Sequence, residues 1–157
     1  DLVTAFQSFH WFRPLDALVE MGRVLRPGGR AAIVWNERDS GDPLTRAYGE
    51  LVREISDRHP AESRMVLERI PFEAAGFGEV AQRTFPHAQR LDLQGLFGRA
   101  ESTSYLPSSG ARYEEMRARL RTLFEQWERD GEVRLCYRTR VHVATPALLR
   151  DLGPADR

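Results

Sequence analysis

Side chains that could do chemistry cluster at two places near one end of this 157-residue sequence. The first cluster is Gln7-Ser8-Phe9-His10-Trp11, and the second is Asn36-Glu37-Arg38-Asp39. The imidazole of His10, which titrates near neutral pH, could take a proton from an oxygen or nitrogen nucleophile. The indole of Trp11 could wall a pocket, and the guanidinium of Arg38 could bind a carboxylate through two parallel hydrogen bonds. These residue types are typical of a small-molecule site.

Each of these side chains also has a structural interpretation, which the sequence leaves open. A histidine between aromatic residues is commonly a packing residue, and Trp11 could simply belong to the core. Residues 36–39 could form a solvated loop. No metal site is predicted, because the other histidines are too scattered for metal-ligand spacing and a lone cysteine cannot complete a ligand set. Those histidines are His59, His87 and His142.

Both clusters directly follow apolar segments that the sequence predicts to be β-strands. Residues 1–6 and 31–35 are apolar runs typical of strands that are buried on both faces of a parallel sheet. A helix that begins at Pro14 and stops at Pro27-Gly28-Gly29 connects them. Because ligands bind beyond the carboxyl ends of parallel strands, both clusters lie where a pocket is expected. The predicted apolar face of the helix comprises Leu15, Leu18, Val19, Gly22 and Leu25.

The rest of the chain contains further predicted helices and strands. Apolar stripes at helical spacing run from Leu44 to Ile55 and from Tyr113 to Trp127. Residues 80–91 are predicted to be a strand or hairpin arm that a proline interrupts. Residues 133–143 alternate apolar and polar side chains, as in an antiparallel or edge strand. Less regular segments are a predicted short helix within residues 61–79 and a loosely assigned stretch over residues 92–110.

The composition restricts the class of protein and its surroundings. The 23 cationic and 23 anionic residues give a formal net charge of zero, so an extended nucleic-acid-binding surface is not indicated. Cys136 is the only cysteine, which excludes an internal disulfide and favours a reducing compartment. No apolar run approaches the roughly 20 residues that a membrane-spanning helix needs. We therefore expect a cytoplasmic protein without nucleic-acid or membrane partners.

The first 39 residues resemble part of a known enzyme family. DLVTAFQSFHWF followed by RVLRPGGRAAIVWNERD is similar to the fourth and fifth strands, with the intervening helix, of class I S-adenosylmethionine-dependent methyltransferases. The FHWF stretch at residues 9–12 narrows the resemblance to the trans-aconitate methyltransferase-like branch, which acts on small molecules. The resemblance implies an α/β fold with a Rossmann-like methyltransferase sheet. In that sheet, residues 78–91 and 132–145 would form an antiparallel hairpin after the parallel βαβ part.

The resemblance also implies that this sequence corresponds to the C-terminal part of one incomplete domain. The family's glycine-rich turn and the acidic residue after its second strand have no counterpart here, since Gly28-Gly29 ends a helix. The missing N-terminal cofactor-binding half would comprise three βα units, or roughly 100 residues. The isolated fragment is expected to be inactive and to bind cofactor weakly or not at all. The predicted segments are 1–39 (strands four and five of the βαβ unit), 40–131 (helical insertion, sixth strand and lid region), 132–145 (terminal strand) and 146–157 (tail).

The resemblance assigns a cofactor and the residues that contact it. The family's fourth strand passes the methionine end of S-adenosylmethionine, so Ala5, Phe6 and Gln7 are predicted to bind the cofactor together with Trp11. His10 is the candidate catalytic base. Transfer to an ionised carboxylate, however, requires positioning of the acceptor rather than a base.

The acceptor side is predicted from the segments that follow the fifth strand and precede the last helix. Arg38, Tyr105 and Tyr113 are the candidates for binding the acceptor. The predicted function is therefore methyl transfer from S-adenosylmethionine to a small-molecule acceptor, with a carboxylate as one candidate, by a longer enzyme of which these residues form part.

A second interpretation belongs to a different class of function. Without the neighbour that the family's fourth strand has, residues 2–6 would present an apolar edge of unpaired backbone groups. The chain could then be a non-catalytic interaction module, or one subunit of a split methyltransferase, that self-associates or binds a partner chain through this edge. Methylation of nucleic acids is disfavoured by the zero net charge and by the absence of an Asn/Asp-Pro-Pro-aromatic motif.

Overall fold

The structure is a computed structural model that describes residues 1–58 and 70–147. These ranges contain four β-strands and four α-helices. The strands are β1 (Leu2–Phe6), β2 (Arg30–Arg38), β3 (Phe77–Leu91) and β4 (Val133–Pro146). The helices are α1 (Pro14–Val24), α2 (Pro43–Ile55), α3 (Leu93–Glu101) and α4 (Gly110–Trp127). Short 3-10 turns span Phe9–Trp11 and Glu73–Ala75.

The strands form one mixed sheet in the order β1-β2-β4-β3. β1 and β2 are parallel, with Leu2 opposite Arg30 and Phe6 opposite Val34. Because α1 connects these two strands, the predicted βαβ unit is confirmed. The α/β class and the Rossmann-like arrangement of this part of the sheet are therefore as expected from the sequence.

β4 runs antiparallel to both of its neighbours, as the contacts along each pair of strands show. In every pair, residue numbers rise on one strand while they fall on the other. The contacts are Asn36–Thr139 and Asp39–Cys136 towards β2, and His87–Tyr137 and Arg90–Glu132 towards β3. The predicted antiparallel pairing of residues 78–91 with 132–145 is therefore confirmed.

The described residues form two compact units. The first unit comprises residues 1–35, 70–84 and 140–147, and the second comprises residues 36–58 and 85–139. Each unit combines segments that are far apart in sequence, because β2, β3 and β4 each contribute to both units. The segment boundaries predicted from the sequence follow chain order and remain predictions.

The first unit packs α1 and β1 with the beginning of β2 around a small apolar core. Leu18 of α1 and Ile33 of β2 are fully buried. The ring of Phe77, at the start of β3, lies against α1 at Gly22, where an added Cβ would be 3.7 Å from the ring. The other buried members are Ala5, Phe9, Met21, Ala31, Phe72 and Ala144.

The second unit has the larger core, which is built mainly from the two predicted helical stripes. α2 buries Leu44, Tyr48, Leu51, Val52 and Ile55, as its period predicts. The N-terminal end of α2 is capped by Asp42, whose side chain accepts a hydrogen bond from the N–H of Thr45 at 2.8 Å. α4 buries Met116, Leu120, Leu123 and Phe124. The remaining buried members come from α3, β4, β3 and the loop after α3, namely Leu96, Phe97, Ala100, Val133, Leu135, Tyr137, Leu91 and Leu106.

Two predictions of burial in the first unit are wrong. α1 buries Leu18 but leaves Leu15 and Val19 exposed, so the helix packs through a narrower stripe than its apolar pattern predicts. β1 is not buried on both faces. Ala5 packs into the core, whereas Leu2 and Phe6 each expose 62% of their surface, because alternate side chains point to opposite faces and β1 lies at an edge of the sheet.

β3 and β4 also differ in detail from the predicted strands. β3 continues through Pro86, because it lies at the other edge of the sheet, where a residue without an N–H is tolerated. β4 buries Val133, Leu135 and Tyr137 in alternation, as predicted. Since β4 lies between two strands, it is an internal antiparallel strand and not an edge strand.

Three predictions concern residues outside the described ranges. They are His59, the portion of the predicted short helix over residues 61–69, and residues 148–157 of the predicted tail.

Candidate functional site

The chain turns sharply at Gln7, where β1 ends. The N–H of Gln7 donates a hydrogen bond to the carbonyl of Val34 at 3.0 Å, which continues the parallel pairing by one residue. The φ angle of Gln7 is 51°, in the left-handed region that residues other than glycine seldom adopt. The 3-10 turn Phe9–Trp11 follows, and the fully buried Phe9 anchors it to the core. Strained residues of this kind are enriched at functional sites, and the predicted role of this segment stays a prediction.

His10 lies between two indole rings of the first unit. Its ring centroid is 4.5 Å from that of Trp11, at an interplanar angle of 41°, and 4.9 Å from that of Trp35, at 82°. Trp35 is buried near the carboxyl end of β2, whereas Trp11 exposes 64% of its surface. The imidazole therefore has a packed, half-buried environment, and both the packing role and the role as a base remain open for His10.

The residues predicted to bind the cofactor differ in what they offer to a ligand. Ala5 is buried, so its side chain belongs to the core of the first unit. Gln7 is exposed. Phe6 and Trp11 each expose more than half of their surface, which provides apolar faces against which a ligand could pack. The roles of these residues stay predictions.

The second unit contains two arginines and three tyrosines that we call the arginine–tyrosine cluster. The guanidinium of Arg38, at the end of β2, lies 5.2 Å from the ring centroid of Tyr48 on α2. The Nε–H of Arg99, on α3, donates to the hydroxyl of Tyr137 on β4 at 3.3 Å. Tyr105, which follows α3, is close enough to act electrostatically on both Tyr48 and Arg99. Four different elements and one loop therefore meet in this cluster.

Tyr48 forms the buried part of the cluster. Its side chain is 0% exposed, and its hydroxyl has no hydrogen-bond partner among residues 1–58 and 70–147. Burial raises the pKa of Tyr48, and the charges of Arg38 and Arg99 oppose that rise. Leaving a buried hydroxyl without a partner costs roughly 1–3 kcal/mol. The cluster therefore contains a donor whose hydrogen-bonding capacity is unused.

Arg99 supplies a half-buried positive charge. Its Nη1 donates to the hydroxyl of Ser102 at 3.3 Å, so both of its side-chain hydrogen bonds go to neutral groups. Burial by itself lowers the pKa of Arg99, but the hydrogen bond to Tyr137 and the neighbouring tyrosines outweigh it, and the net shift is upward. Within the described ranges, no carboxylate forms an ion pair with Arg99.

Asn36, the first residue of the second sequence cluster, connects three strands of the second unit. Its Oδ1 accepts a hydrogen bond from the hydroxyl of Thr139 at 3.1 Å and lies 2.9 Å from Nε2 of His87. The His87 ring in turn stacks on Tyr137, with centroids 5.3 Å apart. This chain of contacts ends at Tyr137, a member of the arginine–tyrosine cluster.

Asp39, the last residue of the same sequence cluster, has a structural role in the second unit. Its Oδ1 accepts from the N–H of Gly41 at 3.0 Å and pairs with Nη2 of Arg138 at 3.0 Å. The hydrogen bond from Gly41 and the pairing with Arg138 lower the pKa of Asp39. Residues 36–39 thus include two well-contacted side chains and are not simply a solvated loop.

The structure brings together two of the three residues predicted to bind the acceptor. Arg38 and Tyr105 both belong to the arginine–tyrosine cluster. The hydroxyl of Tyr113 instead donates to Glu101 at 2.7 Å and accepts from Arg117 at 2.9 Å, in a separate set of contacts on α4.

Tyr48, Arg99 and Tyr137 were not identified from the sequence as site residues. Arg99 lies on α3, a helix within the loosely assigned stretch. The signal that could have found this helix is Asp92, a capping residue whose carboxylate accepts from the N–H of Gly95 at 2.7 Å. It is followed by apolar residues at helical spacing, Leu93, Leu96, Phe97 and Ala100.

Two further features concern metals and membranes. In the part of the chain that the structure describes, no group of three or more His, Cys, Asp or Glu side chains is arranged to hold a metal ion. No helix of residues 1–58 and 70–147 combines the length and apolar character that crossing a membrane requires.

The single cysteine is not activated as a nucleophile. Burial raises the pKa of the Cys136 thiol, which makes it a poorer nucleophile.

A family model supports the interpretation of the N-terminal segment. Residues 1–33 match the model described as "Methyltransferase domain". The matched range contains β1, α1 and the beginning of β2, and therefore the turn with Gln7, His10 and Trp11.

The chain is also similar in sequence to proteins that are named as methyltransferases. An uncharacterized methyltransferase of Mycobacterium tuberculosis is 35% identical over 111 residues, which are 71% of this chain and 42% of that protein. An uncharacterized methyltransferase of Schizosaccharomyces pombe is 33% identical over 96 residues, which are 61% of this chain and 38% of that protein. The chain thus spans about two fifths of the length of these curated relatives.

A solved structure supports the fold. The structure of a protein from Anaeromyxobacter dehalogenans, provisionally named a type II methyltransferase, superposes with a TM-score of 0.59 at 21% sequence identity. The superposition covers 91% of this chain and 63% of that chain. The fold of these residues is therefore that of part of a methyltransferase-like α/β sheet.

Proposed function

We propose that these residues form part of an enzyme that transfers a methyl group from S-adenosylmethionine to a small-molecule acceptor. The observation that carries the proposal is the family match over residues 1–33, which coincides with the βαβ unit and with the turn that follows β1. Polar and aromatic residues follow the carboxyl end of β1, which is where ligands bind in sheets of this kind. The trans-aconitate methyltransferase-like branch is the proposed relationship, on the basis of the FHWF stretch.

The residues at the end of β1 suit the cationic sulfonium of S-adenosylmethionine, the proposed cofactor. Phe6 and Trp11 present exposed apolar faces, and an indole face attracts a cationic group. Gln7 contributes a backbone held in an unusual conformation. S-adenosylmethionine, when bound, supplies an activated methyl group on a sulfonium. The remaining contacts to the cofactor would come from a longer protein, and we expect this 157-residue chain alone to bind it weakly or not at all. Micromolar affinity of the isolated chain would contradict that expectation.

The acceptor is proposed to be a small molecule that carries an anionic group. Arg38 and Tyr105, which were predicted to contact the acceptor, both belong to the cluster that contains Arg99, and no carboxylate within the described ranges forms an ion pair with Arg99. An ionised carboxylate is a nucleophile without prior loss of a proton, so positioning would suffice. Under this proposal His10 packs between its two indole neighbours, and a role as a base is required only for an acceptor that must be deprotonated.

The test is a cofactor titration on the complete gene product that carries this sequence. Calorimetric titration with S-adenosylhomocysteine should show saturable binding, which Trp11→Ala should weaken by roughly tenfold, equivalent to about 1.4 kcal/mol. Phe85→Ala is the matched control, because Phe85 is an exposed aromatic residue of the second unit. Absence of binding by the wild-type protein, or equal weakening by both variants, would refute the proposed site.

A second candidate function is an interaction module, and exposed apolar side chains of the first unit favour it. Leu2 of β1 and Leu15 and Val19 of α1 are all exposed. β1 also lies at an edge of the sheet, so a strand of a partner or of a second copy could pair with it. Sedimentation of the wild-type protein and of Leu2→Glu tests this proposal. Equal, concentration-independent sedimentation as a monomer without a bound partner would argue against it.

The cellular location of the protein is also a proposal. We propose that it works in the cytoplasm, because its single cysteine leaves no internal disulfide to maintain. Fractionation of cells that express a tagged gene product would test this location, and recovery outside the cytoplasm would contradict it.

A further inference from the structure

We propose that the arginine–tyrosine cluster is a carboxylate-binding site, in which Arg99 and Tyr48 recognise the acceptor together with Arg38. The inference rests on the proposed function, because the carboxylate is taken to belong to the methyl acceptor. It adds two residues that neither the sequence nor the family resemblance assigned. It also narrows the acceptor from any small molecule to one that carries a carboxylate.

The first observation is the unused hydroxyl of Tyr48. Its ring is completely buried, yet its Oη has no hydrogen-bond partner within residues 1–58 and 70–147. Tyr48 shares the core of the second unit with Tyr137, against which Tyr105 also packs, and Arg38 lies over its ring. Arg99 joins this group through its hydrogen bond to Tyr137. Buried polar groups nearly always have partners, so the exception requires an explanation, and a bound ligand is the one that we propose.

The second observation is the positive charge of Arg99. Arg99 is half-buried, and its hydrogen bonds go to the hydroxyls of Tyr137 and Ser102. The guanidinium of Arg38 lies over the ring of Tyr48, 5.2 Å from its centroid. Within the described ranges no acidic side chain forms an ion pair with Arg99. A half-buried guanidinium that contacts only neutral groups is more stable when an anion binds beside it.

The third observation concerns which anion the cluster suits. The Nε–H of Arg99 donates to Tyr137 and one Nη1–H donates to Ser102, so the other N–H groups on Nη1 and Nη2 are the donors that a planar carboxylate could use. Tyr48 can donate one further bond to a carboxylate oxygen. These donors match a carboxylate, and phosphate is the competing anion because a guanidinium also binds it through two hydrogen bonds.

The experiment uses thermal unfolding and calorimetric titration of the complete gene product with succinate. Succinamide, in which both carboxylates are replaced by neutral amides, and inorganic phosphate are titrated in parallel. The variants are Arg99→Gln and Tyr48→Phe. The matched control is Arg121→Gln, which removes the same charge from an exposed residue of α4.

Wild type and Arg121→Gln should bind succinate with equal affinity and should not respond to succinamide. Arg99→Gln should lose roughly tenfold or more in affinity, as expected for a lost charge-assisted hydrogen bond. Tyr48→Phe should also bind succinate more weakly, while its midpoint of unfolding without ligand should rise. A general structural defect would lower that midpoint instead, so the opposite signs identify a binding role.

The inference is wrong if Arg99→Gln and Tyr48→Phe bind succinate as Arg121→Gln does, or if the wild type binds no succinate. Phosphate binding with the same dependence on these variants, and tighter than succinate, would overturn the assignment to a carboxylate. Binding of S-adenosylhomocysteine is measured on the same samples to separate this inference from the proposed function. Cofactor binding without succinate binding refutes the inference alone, whereas succinate binding without cofactor binding refutes the proposed methyl transfer and with it the identification of the anion as an acceptor.

Discussion

The guanidinium of Arg38 lies over the ring of Tyr48, 5.2 Å from its centroid. The two residues are at the end of β2 and in the middle of α2, and the turn between Asp39 and Asp42 separates the two elements. The contact brings a charge to the face of a fully buried phenol whose hydroxyl is unsatisfied within the described residues. An unused donor in a cluster that also contains Arg99, which donates only to neutral groups there, favours an anionic ligand.

Tyr48→Phe should stabilise the ligand-free protein. Removing a buried hydroxyl that has no partner removes an unfavourable desolvation term, so we expect a gain in the free energy of unfolding of about 1 kcal/mol. Urea unfolding at neutral pH measures this gain. Tyr105→Phe is the comparison, because Tyr105 is only half-buried and should change the free energy of unfolding less. Destabilisation by Tyr48→Phe would show that the hydroxyl has a favourable partner.

The same tyrosine predicts a dependence of stability on alkaline pH. Burial raises the pKa of Tyr48 in the folded state, so the folded protein holds this proton more tightly than the unfolded chain does. Its contribution is fully present below the pKa of an unfolded tyrosine, about 10, and is lost as the pH rises through the higher folded pKa. Wild type should therefore lose more stability above pH 10 than Tyr48→Phe does. Parallel curves for the two proteins between about pH 9 and 11 would contradict this prediction.

Gln7→Gly should separate backbone strain from side-chain function at the end of β1. Gln7 has φ of 51°, a conformation that costs a residue with a Cβ of order 1 kcal/mol and that glycine adopts readily. We expect Gln7→Gly to leave the free energy of unfolding unchanged or slightly higher, and Gln7→Val to lower it by more than 1 kcal/mol. Chemical unfolding of the two variants gives the comparison. If the side chain binds the cofactor, Gln7→Gly will also weaken S-adenosylhomocysteine binding.

Thr45 should be essential for joining α2 to β4. Its hydroxyl donates to Asp42 at 2.6 Å and accepts from the N–H of Cys136 at 2.8 Å, and the residue is 1% exposed. Thr45→Val keeps the shape but leaves the N–H of Cys136 without that acceptor, so we expect a loss of about 1–3 kcal/mol. Thr45→Ser keeps the hydroxyl and should lose less. Equal stabilities of the two variants in urea unfolding would refute the importance of these hydrogen bonds.

Two glycine substitutions should have opposite effects. A Cβ at Gly29 would lie 2.8 Å from Cδ2 of Leu25 and 2.9 Å from the carbonyl oxygen of Arg26, so Gly29→Ala should cost roughly 1–3 kcal/mol. A Cβ at Gly98, within α3, has no neighbour within 4 Å, so Gly98→Ala should stabilise the helix by about 1 kcal/mol. The difference in midpoint of thermal unfolding between the two variants tests both expectations. Stabilisation by Gly29→Ala would show that the turn before β2 is not closely packed.

Much of the fold could be predicted because its elements have strong local patterns. The stripe of α2 and the stripe of α4 repeat at helical spacing over three or more turns, and both were identified with nearly correct ends. β1, α1 and β2 were predicted from two apolar runs, a helix-starting proline and a glycine stop. α3 was missed because its nine residues include two glycines, which lower helix propensity, although its apolar residues recur at helical spacing.

Which apolar side chains are exposed, and which elements pack against each other, could not be predicted in the same way. The sequence pattern treats Leu15, Leu18 and Val19 as one apolar face, yet only Leu18 is buried. Which apolar residues are covered depends on where neighbouring elements pack, and that information is not contained in the period of one helix. Likewise, Pro86 by itself predicts a break in the strand. It is tolerated within β3 because that strand lies at an edge of the sheet, where a residue without an N–H need not break the pairing.

Local patterns in the sequence were enough to predict the βαβ unit and the candidate residues at the two strand ends, and to show the resemblance of the first 39 residues to methyltransferases. Those features depend on short-range spacing, which is readable along the chain. Only the tertiary structure brought Tyr48, Arg99 and Tyr137 to Arg38, because these residues lie on elements up to a hundred positions apart. The spacing of these residues along the sequence does not show that they come into contact, because the contact depends on how the helices of the second unit pack on the strands. The unsatisfied hydroxyl that motivates a carboxylate site is therefore a property of the packed protein and not of any motif.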